Sequence, residues 1–148
     1  MSVTSWIVFK FYENSKPFQF TDFLEICENA NWKFFSHDQK VFYLSTEDDD
    51  GSGWVNEFIT ELQLFETLKH KQLKGDITGI VLGKYPENNG CTILYYPDQP
   101  HSLSLDITID RKLTIEGMTD VSWYLDEMKR IFDICGYRIE SIEFSEHQ

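Results

Sequence analysis

Apolar residues recur along this chain with two different periods, and the switches between them outline its elements. In residues 3–12, Ile7, Phe9 and Phe11 alternate with Val8 and Lys10, a two-residue period that predicts a strand. Asn14-Ser15-Lys16-Pro17 breaks it. Thr21 is placed to cap a short helix, with Asp22 in the first turn and Phe20, Phe23, Leu24 and Cys27 on one face. Residues 32–35 fit either period, and residues 40–45 read as a second strand. From about Trp54 to Gln72, Val55, Phe58, Ile59, Leu62, Phe65 and Leu68 fall at helical spacing, which predicts a long helix. Lys69, Lys71 and Lys74 suit its C-terminal end, and Gly75 can close it.

The second half is richer in strands. Residues 77–85 and 91–96 are apolar, and Pro86-Glu87-Asn88-Asn89-Gly90 joins them as a hairpin connection. Next, Leu103, Leu105, Ile107 and Ile109 alternate with Ser104, Asp106, Thr108 and Asp110. Leu113 and Ile115 repeat the pattern beyond a turn at Asp110-Arg111, so a hairpin with one dry and one wet face is expected. A third helix spans about residues 120–135. Val121, Leu125, Met128, Ile131, Phe132 and Cys135 form its apolar stripe, Asp126 and Arg130 an i,i+4 pair, and Gly136 its end. Residues 138–144 form a last strand before a loose tail. The order β-α-β-α-β-β-β-β-α-β implies a single α+β domain over residues 1–148. Its sheet is mainly antiparallel, with about six to seven strands and three helices mostly on one face.

Composition narrows the function. The chain has 148 residues, enough for a core of its own, and twelve Phe, seven Tyr and four Trp to fill it. Thirteen Lys and Arg against twenty-five Asp and Glu leave a net charge of −12. That field repels nucleic-acid phosphates and anionic membranes and favours a basic protein partner, with an acidic surface that simply keeps the protein in solution as an equal alternative. The cysteines, Cys27, Cys91 and Cys135, are odd in number and sit in apolar stretches, so buried free thiols in a reducing, cytoplasmic setting are expected. The N-terminal residues lack the pattern of a signal peptide, and no apolar run approaches the roughly 20 residues of a membrane helix.

Candidate chemistry is sparse. Residues 46–57 match an EF-hand calcium loop in part: Asp48 and Asp50 stand at its third and fifth positions, Gly51 at its sixth and Glu57 at its twelfth. Thr46 stands where the first carboxylate belongs, so a solvated acidic turn is the expectation and no metal is assigned. His37, His70, His101 and His147 show no metal-ligand spacing, and there is no Gly-x-Ser-x-Gly elbow. Gly79 to Lys84 lacks the spacing of a phosphate loop. Asp106 with Asp110, or Glu140 with Glu143, could flank a substrate, but an acidic chain places such pairs by chance. The expectation is a non-enzymatic protein without a cofactor. DNA mimicry is a minor alternative.

In length, acidity and α+β pattern the chain resembles bacterial immunity proteins, small cytoplasmic inhibitors of toxin domains. The resemblance implies one-to-one binding of a cognate, basic toxin domain such as a nuclease. The acidic run Glu47, Asp48, Asp49 and Asp50, with Trp54 as an aromatic anchor and Glu57 beyond it, is the candidate partner-binding surface. Trp54 packed into the core at a helix start is an equal alternative. The competing function is a small ligand-binding or enzymatic domain, which a deep aromatic pocket with a convergent carboxylate would favour.

Overall fold

Strand and helix alternate in an uneven rhythm in the computed structural model, which describes residues 3–45 and 53–147. The elements are β1 (Thr4–Phe11), α1 (Phe20–Asn29), β2 (Trp32–Lys33), β3 (Lys40–Leu44), β4 (Trp54–Phe58) and α2 (Glu61–Lys74). They continue with β5 (Thr78–Lys84), β6 (Asn89–Tyr95), β7 (Ser102–Ile109), α3 (Val121–Cys135) and β8 (Ile139–His147). The eight strands form one antiparallel sheet in the order β4-β3-β5-β6-β7-β1-β8, with the short β2 also paired to β5. Helices α1 and α3 pack together, α1 also meets α2, and α2 meets β5. This is the expected α+β architecture.

The two-residue period decides which side of the sheet is dry. Ile7, Phe9 and Phe11 of β1, Leu103, Leu105 and Ile107 of β7, and Cys91, Ile93 and Tyr95 of β6 are buried beneath the helices. Helix α3 inserts Phe132 edge-on against Phe9 and Phe11, with ring centres 4.9 and 5.0 Å away. The three thiols are buried, as expected. Burial pushes the Cys135 thiol up to about 11 and raises Cys27 and Cys91 as well, so none is poised as a thiolate.

Five expectations need correction. The long helix from Trp54 does not form: residues 54–58 are strand β4, and helix α2 starts at Glu61. Trp-Val-Asn-Glu-Phe has the β-branched and aromatic content of a strand. Thr60 then caps the helix, its hydroxyl accepting from Gln63 N while Gln63 Oε1 accepts from Thr60 N. Phe58 and Leu62, assigned to a buried stripe, are 71% and 70% exposed.

The hairpin around Asp110 does not form either. Strand β7 is already flanked by β6 and β1, so no side of it remains for a further strand. Residues 110–120 turn back on themselves instead. Leu113 bridges Thr119, Thr114 N donates to Met118 O at 2.8 Å, and Gly117 adopts a φ of 83°. Ile115 is fully exposed.

Helix α1 begins at Phe20 and has no side-chain cap of its own. Its first donors are met from afar, Phe20 N donating to Gln72 Oε1 and Gln19 N to the Tyr137 hydroxyl, each at 3.0 Å. Finally, β8 runs to His147 along β1, where a loose tail was expected. Arg130 pairs with Glu127 at 3.7 Å rather than with Asp126.

Candidate functional site

The helices leave one face of the sheet bare, and a trough on it arises from a change of strand partners. Strand β3 meets β5 through a single pair, Tyr43 with Ile80; further along, β2 replaces it through Trp32–Lys84 and Lys33–Gly83. The split opens a trough of about 790 Å³ lined by Phe35, His37, Phe42, Asn56, Val81 and Ile109, among others. The chain between β2 and β3 forms its rim. Phe35 bridges Val41, and Ser36 N donates to Lys40 O at 2.9 Å. The hydroxyl of Ser36 donates to Asp38, which holds that carboxyl below its usual range.

The cations of the trough are already engaged. Lys33 Nζ donates to Glu28 O at 3.1 Å. Lys84 Nζ donates to Ala30 O at 2.6 Å and pairs with Glu127 at 2.6 Å. Lys40 Nζ lies 5.1 Å from the centre of the Phe58 ring. The rim residues Ser36, His37, Asp38, Asn88 and Asp110 are exposed, so the trough is an open channel rather than an enclosed ligand cavity.

Beside the trough lies an aromatic strip. Trp54 stacks on Phe42 with ring centres 5.4 Å apart and planes 18° from parallel. Both project from the bare face, because Phe42 pairs with Asn56 and Leu44 with Trp54 on alternate positions of the hairpin. The indole spreads over Gly79 of β5: a Cβ there would lie 3.0 Å from Trp54 Cη2 and from Leu44 Cδ1, and 2.8 Å from Leu94 Cδ2. Trp54 is half-buried by this packing, yet it belongs to the bare face and not to the helix-covered core.

Of the residues assigned from sequence, Glu47, Asp48, Asp49 and Asp50 lie outside the described residues. The two ends of their segment are pinned, with Ser45 N donating to Gly53 O at 3.0 Å, so the acidic run connects β3 to β4. Trp54 and Glu57, both assigned to the partner-binding surface, stand on opposite faces of strand β4 because they are three residues apart. Glu57 accepts from the Tyr43 hydroxyl, whose pKa burial raises further.

Sequence reasoning placed Lys71 near the helix C-terminus but missed its burial. It is fully buried, and its ammonium donates to Ser45 O at 2.6 Å, tying α2 to the start of the acidic connection. An apolar-period reading has no means of finding a core lysine. It also passed over Phe58, whose exposure follows from the strand that replaced the helix. Among the described residues, no group of three His, Cys, Asp or Glu could hold a metal ion. Among the described residues, no helix is long and apolar enough to cross a membrane. No family model, curated protein or solved structure matches the chain significantly.

Proposed function

We propose that this chain is an acidic protein-binding domain of the immunity type, a cytoplasmic inhibitor that docks on a cognate basic toxin domain through the bare face of its β3–β4 hairpin. The observation that carries the reading is the strip of exposed Phe42 and Phe58 with the half-buried Trp54, on the hairpin whose connection holds Glu47–Asp50. Aromatic side chains supply the desolvated contact of a protein interface, and the surrounding carboxylates supply the steering field. The net charge of −12 favours a basic partner.

The test has two stages. The immobilised chain is used to capture a partner from the cells that make it, and the partner is then expressed in a tester strain. Growth inhibition by the partner, relieved by the wild-type chain and not by the double change Trp54→Ala and Phe58→Ala, is the expected outcome. Relief by both forms would take the strip out of the interface. A captured partner without any growth effect would remove the immunity role.

A further inference from the structure

The two ends of the sheet are formed by β4 and β8, and they are unlike each other. Strand β8 carries Glu140, Glu143 and Glu146 along nine residues, the kind of charged edge that resists pairing with another chain. Strand β4 carries Trp-Val-Asn-Glu-Phe, with one charge. The register fixes which of its backbone groups face outward. Ser45 and Gly53 form a hydrogen-bonded pair, and such pairs recur every second residue in an antiparallel ladder. Val55 and Glu57 therefore turn their backbone groups toward β3, opposite Tyr43 and Val41. Trp54, Asn56 and Phe58 turn theirs away from the sheet, and among the described residues no strand lies on that side.

We infer that β4 accepts an extended segment of the partner as an added strand, an inference that rests on the docking face proposed above. The occupant is a basic segment rather than a second copy of this chain. A second copy would bring another net charge of −12 to the same edge. A segment with Lys or Arg at alternate positions would instead meet the exposed Glu57 on one side of the strand. Backbone pairing with Trp54, Asn56 and Phe58 would hold it, while side chains on the bare face would rest against Phe42, Trp54 and Phe58.

The probe is an acetylated, amidated octapeptide of alternating Lys and Val, compared with the same peptide methylated at every backbone nitrogen. Amide exchange is followed residue by residue by NMR. The Lys-Val peptide should slow exchange at Trp54, Asn56 and Phe58 roughly tenfold, and methylation should abolish this. Asn56→Pro should also abolish it while leaving the domain folded, since proline is tolerated where a strand's N–H faces solvent. Equal perturbation of the aromatic strip by both peptides, without amide protection, would overturn strand addition and leave the docking face standing. Protection at β8 instead, or no response to either peptide, would overturn both.

Discussion

The two faces of the sheet are built on opposite principles. Beneath the helices, Phe9, Phe11, Phe18, Phe23 and Phe132 interlock at ring distances of 4.9 to 6.2 Å, and each is nearly or fully buried. The bare face is mostly small and polar along β6 and β7, with Ser102, Ser104, Thr92 and Thr108, the last two hydroxyls 3.2 Å apart. Its aromatic residues include Trp6 of β1 and, at the β3–β4 hairpin, Phe42 and Phe58, which are 42% and 71% exposed. The covered face explains its aromatics as core, because burial of each contributes on the order of 2 kcal/mol or more. The hairpin strip has no such explanation, since much of its area stays in water. This difference is why the strip, and not the larger aromatic cluster, carries the functional reading.

The sharpest way to break the comparison is to put one charge on each face. Ile107→Asp places a carboxylate in the helix-covered core and should unfold the domain or cost more than about 4 kcal/mol. Thr108→Asp, next along β7 and exposed, should cost about 1 kcal/mol or less. Urea denaturation measures both. Equal damage would mean that the two faces are not distinct.

A smaller effect should follow from crowding the bare face where the indole lies. Gly79→Val forces a side chain against Leu94, Leu44 and Trp54, all within 3.0 Å of the new Cβ. Overpacking of this kind costs about 1–3 kcal/mol. It should also move the Trp54 indole off Phe42, read as a shift in near-ultraviolet circular dichroism. A destabilised variant with an unchanged aromatic spectrum would show that the stack does not depend on the glycine.

The sheet's far edge gives a control through pH. Hydroxyls of Thr119 and Ser5 donate to Glu146 and hold its carboxyl below the usual range. A carboxyl with a lowered folded-state pKa adds stability above its unfolded pKa of about 4.3, and the gain is lost as pH falls through the folded value. Glu146→Gln should therefore lower the thermal midpoint slightly at pH 7 and have no effect once pH drops well below that carboxyl's range. A deficit that persists in acid would mean that packing, and not charge, is at work there.

Much of this fold could be read from periodicity, and the errors have local causes. The alternation in residues 103–109 placed Leu103, Leu105 and Ile107 correctly, because a strand with one dry face has no other solution. The same alternation misled at Leu113 and Ile115. A two-residue period cannot report that β7 already has neighbours on both sides. The helix from Trp54 failed because five residues of aromatic strand happened to stand in phase with the helix beyond them. A capping signal at Thr60 and Gln63 was present in the sequence and marks the true start. The site was less legible than the fold. Trp54 stands out in the sequence as aromatic and adjacent to the acidic run, but its partner Phe42, its floor Gly79 and the trough beside them come together only through strand pairing.

The most direct test of the central claim is association kinetics with the captured partner at low and high salt. Charges near an interface act on the encounter rate and are screened beyond a Debye length of about 8 Å at physiological salt. A seated aromatic acts on dissociation. The triple change Asp48→Asn, Asp49→Asn and Asp50→Asn should slow association at low salt, lose that effect at high salt and leave dissociation unchanged. The double change Trp54→Ala and Phe58→Ala should speed dissociation at both salts by roughly tenfold or more, the loss of about 1.4 kcal/mol or greater. Wild-type kinetics in both variants would contradict the account and place the interface elsewhere on the molecule.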